Sequence, residues 1–219
     1  MSTVLSHQGA RRAYDRIGAL QDSQAFYEDR ATNALLLHGD FSSAENVFEF
    51  GCGTGRFALR LFTEFLPSNA RYRGVDISPK MVSLAQARLA LYSPRAQIIL
   101  TEGDPPVDEP PESYDRFVSN YVFDLLSEED IRAVLSEARR ILRPGGLLCL
   151  AGLSMGVGPL SRAVARVLSW IQAHRPEAIG GCRPIDLLPF LTASAWRVCY
   201  HAKLVSFGIT SEAVVAKRR

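Results

Sequence analysis

The sequence has no paired cysteines. Cys52, Cys149, Cys182 and Cys199 are scattered and form no C-x-x-C, which argues against a zinc site and leaves no metal to expect. Cys149 sits within the apolar run Leu147 to Ala151 and reads as a small buried hydrophobe. A surplus of one charge is also missing. Lys and Arg number 25 against 23 Asp and Glu, a net +2, so the basic stripe of a dedicated nucleic-acid binder is not there and no nucleic-acid partner is expected. The short clusters Arg11-Arg12, Arg139-Arg140 and Lys217-Arg218-Arg219 read as solvated ends and a helix face. No apolar run approaches the roughly 18 residues that span a bilayer, so no integral membrane segment is expected. Met1 to Ala10 lacks the apolar stretch of a signal peptide. Internal repeats and low-complexity segments are absent. The expectation is a soluble cytoplasmic protein with reduced thiols.

What is there suits one large domain. The 219 residues, 47% hydrophobic and 22% charged, are enough to bury a substantial core. Residues 10–40 read as helical. Asn46–Phe50 reads as a short buried strand ending at Gly51-Cys52-Gly53-Thr54-Gly55, followed by an amphipathic helix over 56–66 that Pro67 ends. A second strand spans 72–76. Ser78 then offers an N-cap and Pro79 a first helical position. Strands follow at 97–101 and 116–119, with a Pro-rich loop (105–111) between them. A helix over 128–142 starts after Ser127. Pro144-Gly145-Gly146 turns the chain into a strand at 147–151. The alternation predicts a doubly wound, mostly parallel α/β sheet of seven strands with helices on both faces. Its last two strands, 196–206 and 212–217, close as a hairpin that makes one C-terminal strand antiparallel. Residues 184–191 read as a further helix. A single domain over 1–219 is expected, with a helical cap at 1–44. Residues 152–182 form an insertion that is either a substrate lid or a face packed permanently on the core or on a second subunit, with helical periodicity over 160–173.

Ligands of open α/β sheets bind beyond the carboxyl ends of the strands. There the first strand ends in G-x-G-x-G, where glycines let the chain turn sharply and a ligand lie against it. The dinucleotide pattern G-x-G-x-x-G is not met, because Arg56 holds the place of the last glycine. Asp76 ends the second strand and offers two acceptor oxygens to ribose hydroxyls, its alternative being a helix cap. Gly103-Asp104 follows the third strand. An acid there reaches an adenine amine, or is simply a turn residue before proline. Asp104-Pro105-Pro106 resembles the start of the D-P-P-Y motif of nucleic-acid amino-methyltransferases. It follows the wrong strand and ends in Val107, so it is read as a decoy.

Four segments in order carry a family resemblance. Residues 47–56 resemble the first motif of class I, Rossmann-like S-adenosylmethionine-dependent methyltransferases, and 72–81 resemble their second. Residues 114–120 are similar to the fourth-strand motif, and 142–146 to the turn before the fifth. The nearest flavour is the ubiquinone-biosynthesis-like group, which acts mostly on small molecules or lipids. The resemblance implies S-adenosyl-L-methionine as cofactor and a small-molecule or lipid-like methyl acceptor. It implies that Glu49 and Gly51 hold the methionine end, with Cys52 between the glycines and Gly53 and Gly55 allowing close approach. Asp76 would bind the ribose, Ile77 and Met81 would flank the adenine, and Asp104, after Gly103, would contact its amine. Asn120 and Tyr121 would lie beside the sulfonium. Tyr14 would reach in from the N-terminal helix, unless it is a packing aromatic. Methyl transfer is an in-line displacement needing chiefly alignment and a dry pocket. A weakly acidic acceptor adds a general base. His7, His38, His174 and His201 are the candidates, but each reads more readily as structural, so no catalytic residue is assigned. The alternatives are an NAD(P)-dependent oxidoreductase on the same sheet and a non-catalytic cofactor-binding regulator.

Overall fold

A computed structural model describes residues 4–105 and 107–219, with the backbone alone at 177 and 178. Residues 1–3, at the start of the segment read as lacking a signal peptide, and Pro106 of the decoy motif lie outside the described residues. The strands β1 (Asn46–Phe50), β2 (Arg71–Asp76), β3 (Ala96–Leu100), β4 (Tyr114–Asn120), β5 (Leu142–Leu153), β6 (Trp196–Ser206) and β7 (Ile209–Arg218) form one sheet. Its order is β3-β2-β1-β4-β5-β7-β6. The first five strands pair in parallel. β7 inserts antiparallel between β5 and β6, as the terminal hairpin predicts.

The helices are α1 (His7–Ile17), α2 (Ala25–His38), α3 (Arg56–Arg60), α4 (Pro79–Arg88), α5 (Glu128–Ile141) and α6 (Pro159–His174). Two hydrophobic clusters fill the two faces of the sheet. One packs Leu35, Leu61 and Tyr72 with Cys149 and Val215. The other packs Phe48, Phe117, Ile131 and Ile141 with Leu148 and Trp196. Local chemistry sets the helix starts. Ser78 Oγ accepts the Met81 amide at 3.1 Å, ahead of Pro79 at the first helical position. Ser127 and Asp130 close a reciprocal capping box on α5.

Four expectations need correction. The helical stretch 10–40 is not continuous, because Gly18 takes φ +51° and the chain runs as a 3₁₀ segment (Gly18–Gln24) before α2. The helix after the glycine loop is α-helical only to Arg60 and continues as a π turn over Leu61–Phe65. Pro144-Gly145-Gly146 lies inside β5: Leu142 still pairs with Tyr114 and Leu147 with Arg116, and Gly145 at φ +79° absorbs the extra residues as an irregularity. Residues 184–191 form only a short 3₁₀ turn (Leu188–Phe190). Their amides are used elsewhere: Ile185 N–H donates to the Leu153 carbonyl at 2.9 Å, and Leu187 N–H to the buried Glu212 carboxylate at 2.6 Å.

Candidate active site

β1 and β4 are neighbours, and the strand order reverses between them. The main cavity opens at their carboxyl ends, where such sheets bind ligands. Its floor is the glycine loop. Gly51, Gly53 and Gly55 all adopt positive φ (77°, 52° and 74°), backbone that side chains resist, but they do different things. A Cβ on Gly51 would meet Val122 at 2.3 Å, and one on Gly55 would press on Ala85 of α4 at 3.0 Å. A Cβ on Gly53 would meet nothing within 4 Å, only the open cavity. Gly53 is therefore the place where the backbone lies bare to a ligand, and Gly55 is a helix-packing position outside the lining.

Asp76 fixes this loop. One carboxylate oxygen accepts the Gly53 amide at 2.9 Å, the other the Ser78 amide at 2.9 Å. Burial raises its pKa, opposed by hydrogen bonds from the Ser78 and Gly53 amides. Beside it Glu49 is 1% exposed. It accepts from the Tyr72 hydroxyl at 2.5 Å and the Asn120 amide at 3.1 Å. Neither partner is cationic, and burial pushes this carboxyl up to about 7. The Oδ1 of Asn120 is buried with no hydrogen-bond partner. A buried carboxylate without a cation and an orphan acceptor next to it are the complement of an ammonium group.

The other end of the cavity is apolar. Ile77, Met81, Gly103, Val4, Leu5, Leu125 and Leu126 line it. Gly103 holds φ +91°, and a Cβ there would strike Ile77 at 2.7 Å, so this wall is pressed tight. Of the residues expected at the site, Tyr14, Glu49, Gly51, Cys52, Gly53, Asp76, Ile77, Met81, Gly103, Asn120 and Tyr121 are brought together around the cavity. Asp104 stands at the rim instead, its side chain 69% exposed and 3.0 Å from His7 Nδ1. Tyr121 takes φ +56° at the end of β4 and donates to Ser211 Oγ at 2.8 Å. Such a conformation in a non-glycine residue stores strain of a kind that clusters at functional sites.

The N-terminal segment covers the cavity. Asp15 accepts the Ser78 hydroxyl at 2.6 Å. Asp22 receives Thr54 Oγ1 at 2.6 Å and Arg88 Nη2 at 2.6 Å. Asp29 pairs with Arg56. These bonds tie 15–29 to the glycine loop and α4. His7 lines the cavity too, ordered by the Ser6 cap on α1. The other histidines do not: His38 stacks on Tyr200, His174 on Trp170, and His201 meets Glu212. Glu28, missed in the sequence, lines the wall with Thr32 and Tyr121. Burial and then the charge of Asp124 push its carboxyl up to about 7. No local motif marks Glu28. Its only sequence signal is its place in a helical stretch ahead of the first strand.

Among the described residues no group of three or more metal-ligating side chains occurs, and no helix is long and apolar enough to cross a membrane. Residues 47–146 match a family described as "Methyltransferase domain". The chain is 36% identical over 107 residues to a carboxy-S-adenosyl-L-methionine synthase of Chromohalobacter salexigens, covering 48% of this chain and 39% of that one. It is 31% identical over 147 residues to a demethylmenaquinone methyltransferase of Tropheryma whipplei, covering 65% and 55%. The chain thus spans less than two thirds of either relative's length. Among solved structures, a cyclase superposes with a TM-score of 0.73 at 16% identity over 98% of this chain and 97% of that one. The family match over residues 47–146 covers a little under half of the chain, and the chain as a whole has a Rossmann-like fold.

Proposed function

We propose that the protein binds S-adenosylmethionine and transfers its methyl group to a small-molecule or lipid-like acceptor. The observation that carries this reading is the uncompensated polar pair at the end of β1 and β4: Glu49, buried among neutral partners, and the orphan Oδ1 of Asn120. They fit the ammonium of the methionine moiety. Gly53 and Asp76 fit the ribose, and Ile77, Met81 and Gly103 form an apolar slot for a purine. When bound, the cofactor supplies an electrophilic methyl on positive sulfur. The protein's own work is alignment and exclusion of water. Asp104 at the rim would contact the purine amine only with a turn of its side chain away from His7.

Glu28 adds a proton acceptor. Its carboxyl titrates near neutrality, the range in which a general base works best. It lies on the same wall as Tyr14 and Tyr121, the side left for an acceptor once Glu49 and Asp76 hold the cofactor. Of the two named relatives, one is a carboxy-S-adenosyl-L-methionine synthase and the other a demethylmenaquinone methyltransferase. That supports a lipid-like acceptor. The dinucleotide alternative is disfavoured by Arg56, whose guanidinium pairs with Asp29 where a third glycine would admit a pyrophosphate.

The test is transfer of a labelled methyl from S-adenosylmethionine to a panel of phenols, quinols, amines, thiols and lipid headgroups. Labelled product that disappears with Glu28→Gln while cofactor binding persists is the expected result. Cofactor turnover with no acceptor in the panel labelled, alongside reduction of NAD by the same protein, would overturn the proposal.

A further inference from the structure

The helix α6 is apolar on more of its circumference than it buries. Ser161, Ala165 and Gln172 face the protein. Leu160, Val167 and Trp170, spaced at helical intervals, stand 72%, 56% and 62% exposed. The patch continues beyond the helix. Met155 and Val157 precede it, both exposed, and Phe207 at the tip of the β6–β7 hairpin is 84% exposed. The neighbouring Gly208 lies against Val164 and Leu160, so the hairpin tip and the helix share one face. Contiguous exposed apolar surface of this kind marks an interaction site.

Cations predominate around it, and Asp186, which accepts the Met155 amide at 3.3 Å, is paired with Lys203. Ala138 to Pro176 contains no Asp or Glu, while Arg162 and Arg166 project from α6, both exposed. Arg30, exposed on α2, reaches the Val205 carbonyl beside the hairpin tip. The nearest acids of α2 are engaged elsewhere: Glu28 lines the cavity and Asp29 pairs with Arg56. An apolar helix stripe with a tryptophan, flanked by arginines and with no acid on the helix itself, has the composition of a helix lying in a membrane interface.

The patch also leads to the cavity. Phe207 packs edge-to-face on Phe26 at 5.6 Å, Phe26 on Tyr27 at 5.1 Å, and Tyr27 on the cavity-lining Tyr121 at 5.8 Å. An unbroken row of aromatic rings thus runs from the exposed tip to the cavity wall.

We propose that the outer face of α6, together with the Phe207 hairpin tip, docks on an anionic lipid bilayer. The docking stands apart from methyl transfer, because lipid binding is read without turnover. Its failure would leave the proposed function untouched, and the reverse holds as well.

The two tryptophans make the test direct: Trp170 is exposed and Trp196 is only 4% exposed. The full chain is titrated with vesicles of phosphatidylcholine containing phosphatidylglycerol, and with pure phosphatidylcholine vesicles, following tryptophan emission and co-sedimentation. The expected result is a blue shift and sedimentation with the anionic vesicles only. Arg162→Gln and Arg166→Gln should each weaken binding about fivefold, the factor matching about 1 kcal/mol per cation at an anionic surface. Val167→Asp with Phe207→Ser should abolish it, with unchanged circular dichroism. No shift with anionic vesicles, or equal binding to neutral ones, would overturn the proposal. So would self-association that buries Trp170 without lipid, since a second copy would then be the occupant.

Discussion

Three glycines within a span of five residues have separable consequences. Gly53→Ala places its Cβ in open cavity, so the fold loses only the cost of a left-handed alanine, about 1–2 kcal/mol, while ligand affinity collapses. Gly55→Ala presses on Ala85 at 3.0 Å and should lower the melting temperature more while sparing affinity. Thermal melts with and without S-adenosylhomocysteine separate the two. A single loss pattern shared by both variants would mean that the loop acts as one unit. Asp76→Ala should cost stability as well as affinity, because the amides of Gly53 and Ser78 lose their acceptor. Each such loss is worth about 1–3 kcal/mol. Glu49 predicts a pH dependence. Its folded pKa is raised from 4.5 to about 7, so ionisation costs the ligand-free protein stability progressively as pH rises through that window. A cationic ligand favours the ionised form. Affinity should therefore fall up to tenfold per pH unit below about 7 and level off above it. Glu49→Gln should flatten that slope, and calorimetry across pH reads it. The place of Asp76 in the cavity was legible because it ends a strand fixed by its own local pattern, and that of Glu49 through the family resemblance its strand carries. The packing duty of Gly55 was not, since its partner Ala85 is a helix away in sequence.

At the scale of elements, the cover over the cavity comes from the N-terminus. Val4, Leu5, His7, Ala10 and Tyr14 line it, and among the described residues none of 152–182 does. The insertion touches the cover from behind: Gly181 lies against Leu5, and Gly180 near Tyr14. Adding S-adenosylhomocysteine should slow hydrogen exchange across 7–24 and leave 159–174 unchanged. Slowing confined to 159–174 would favour the insertion as the lid instead. Arg88→Ala should quicken exchange at 18–24, because its bonds to Thr54 and Asp22 hold that segment. The ion pair is about a quarter to a third exposed, so the stability lost stays near 1 kcal/mol or less. Helix starts were readable from Ser78-Pro79 and Ser127, whose caps act within three residues. The break at Gly18 and the extended course of 184–191 were not, because both follow from tertiary contacts: the docking of 15–29 on the glycine loop, and backbone pairing with β5 and Glu212.

For the whole molecule, the order β3-β2-β1-β4-β5-β7-β6 brings the glycine loop, Asp76, Gly103 and Asn120 to the carboxyl end of one sheet, while Pro144-Gly145-Gly146 lies at the opposite end, beside Tyr114. Alternating strands and helices announce such a sheet through periodicity, and the hairpin at 196–218 announces its antiparallel end. What periodicity does not carry is which surface segment closes over the carboxyl end or which face meets a partner, since both depend on side chains distant in sequence. The central claim is that this carboxyl end holds a sulfonium nucleoside. It is tested most directly by isothermal calorimetry of the purified chain with S-adenosylmethionine, S-adenosylhomocysteine and NAD. The account predicts saturable binding of both sulfur nucleosides, lost in Gly53→Ala and reduced in Asp76→Ala, with no heat from NAD. Binding of NAD in their place, or wild-type affinity in a folded Gly53→Ala variant, would contradict it.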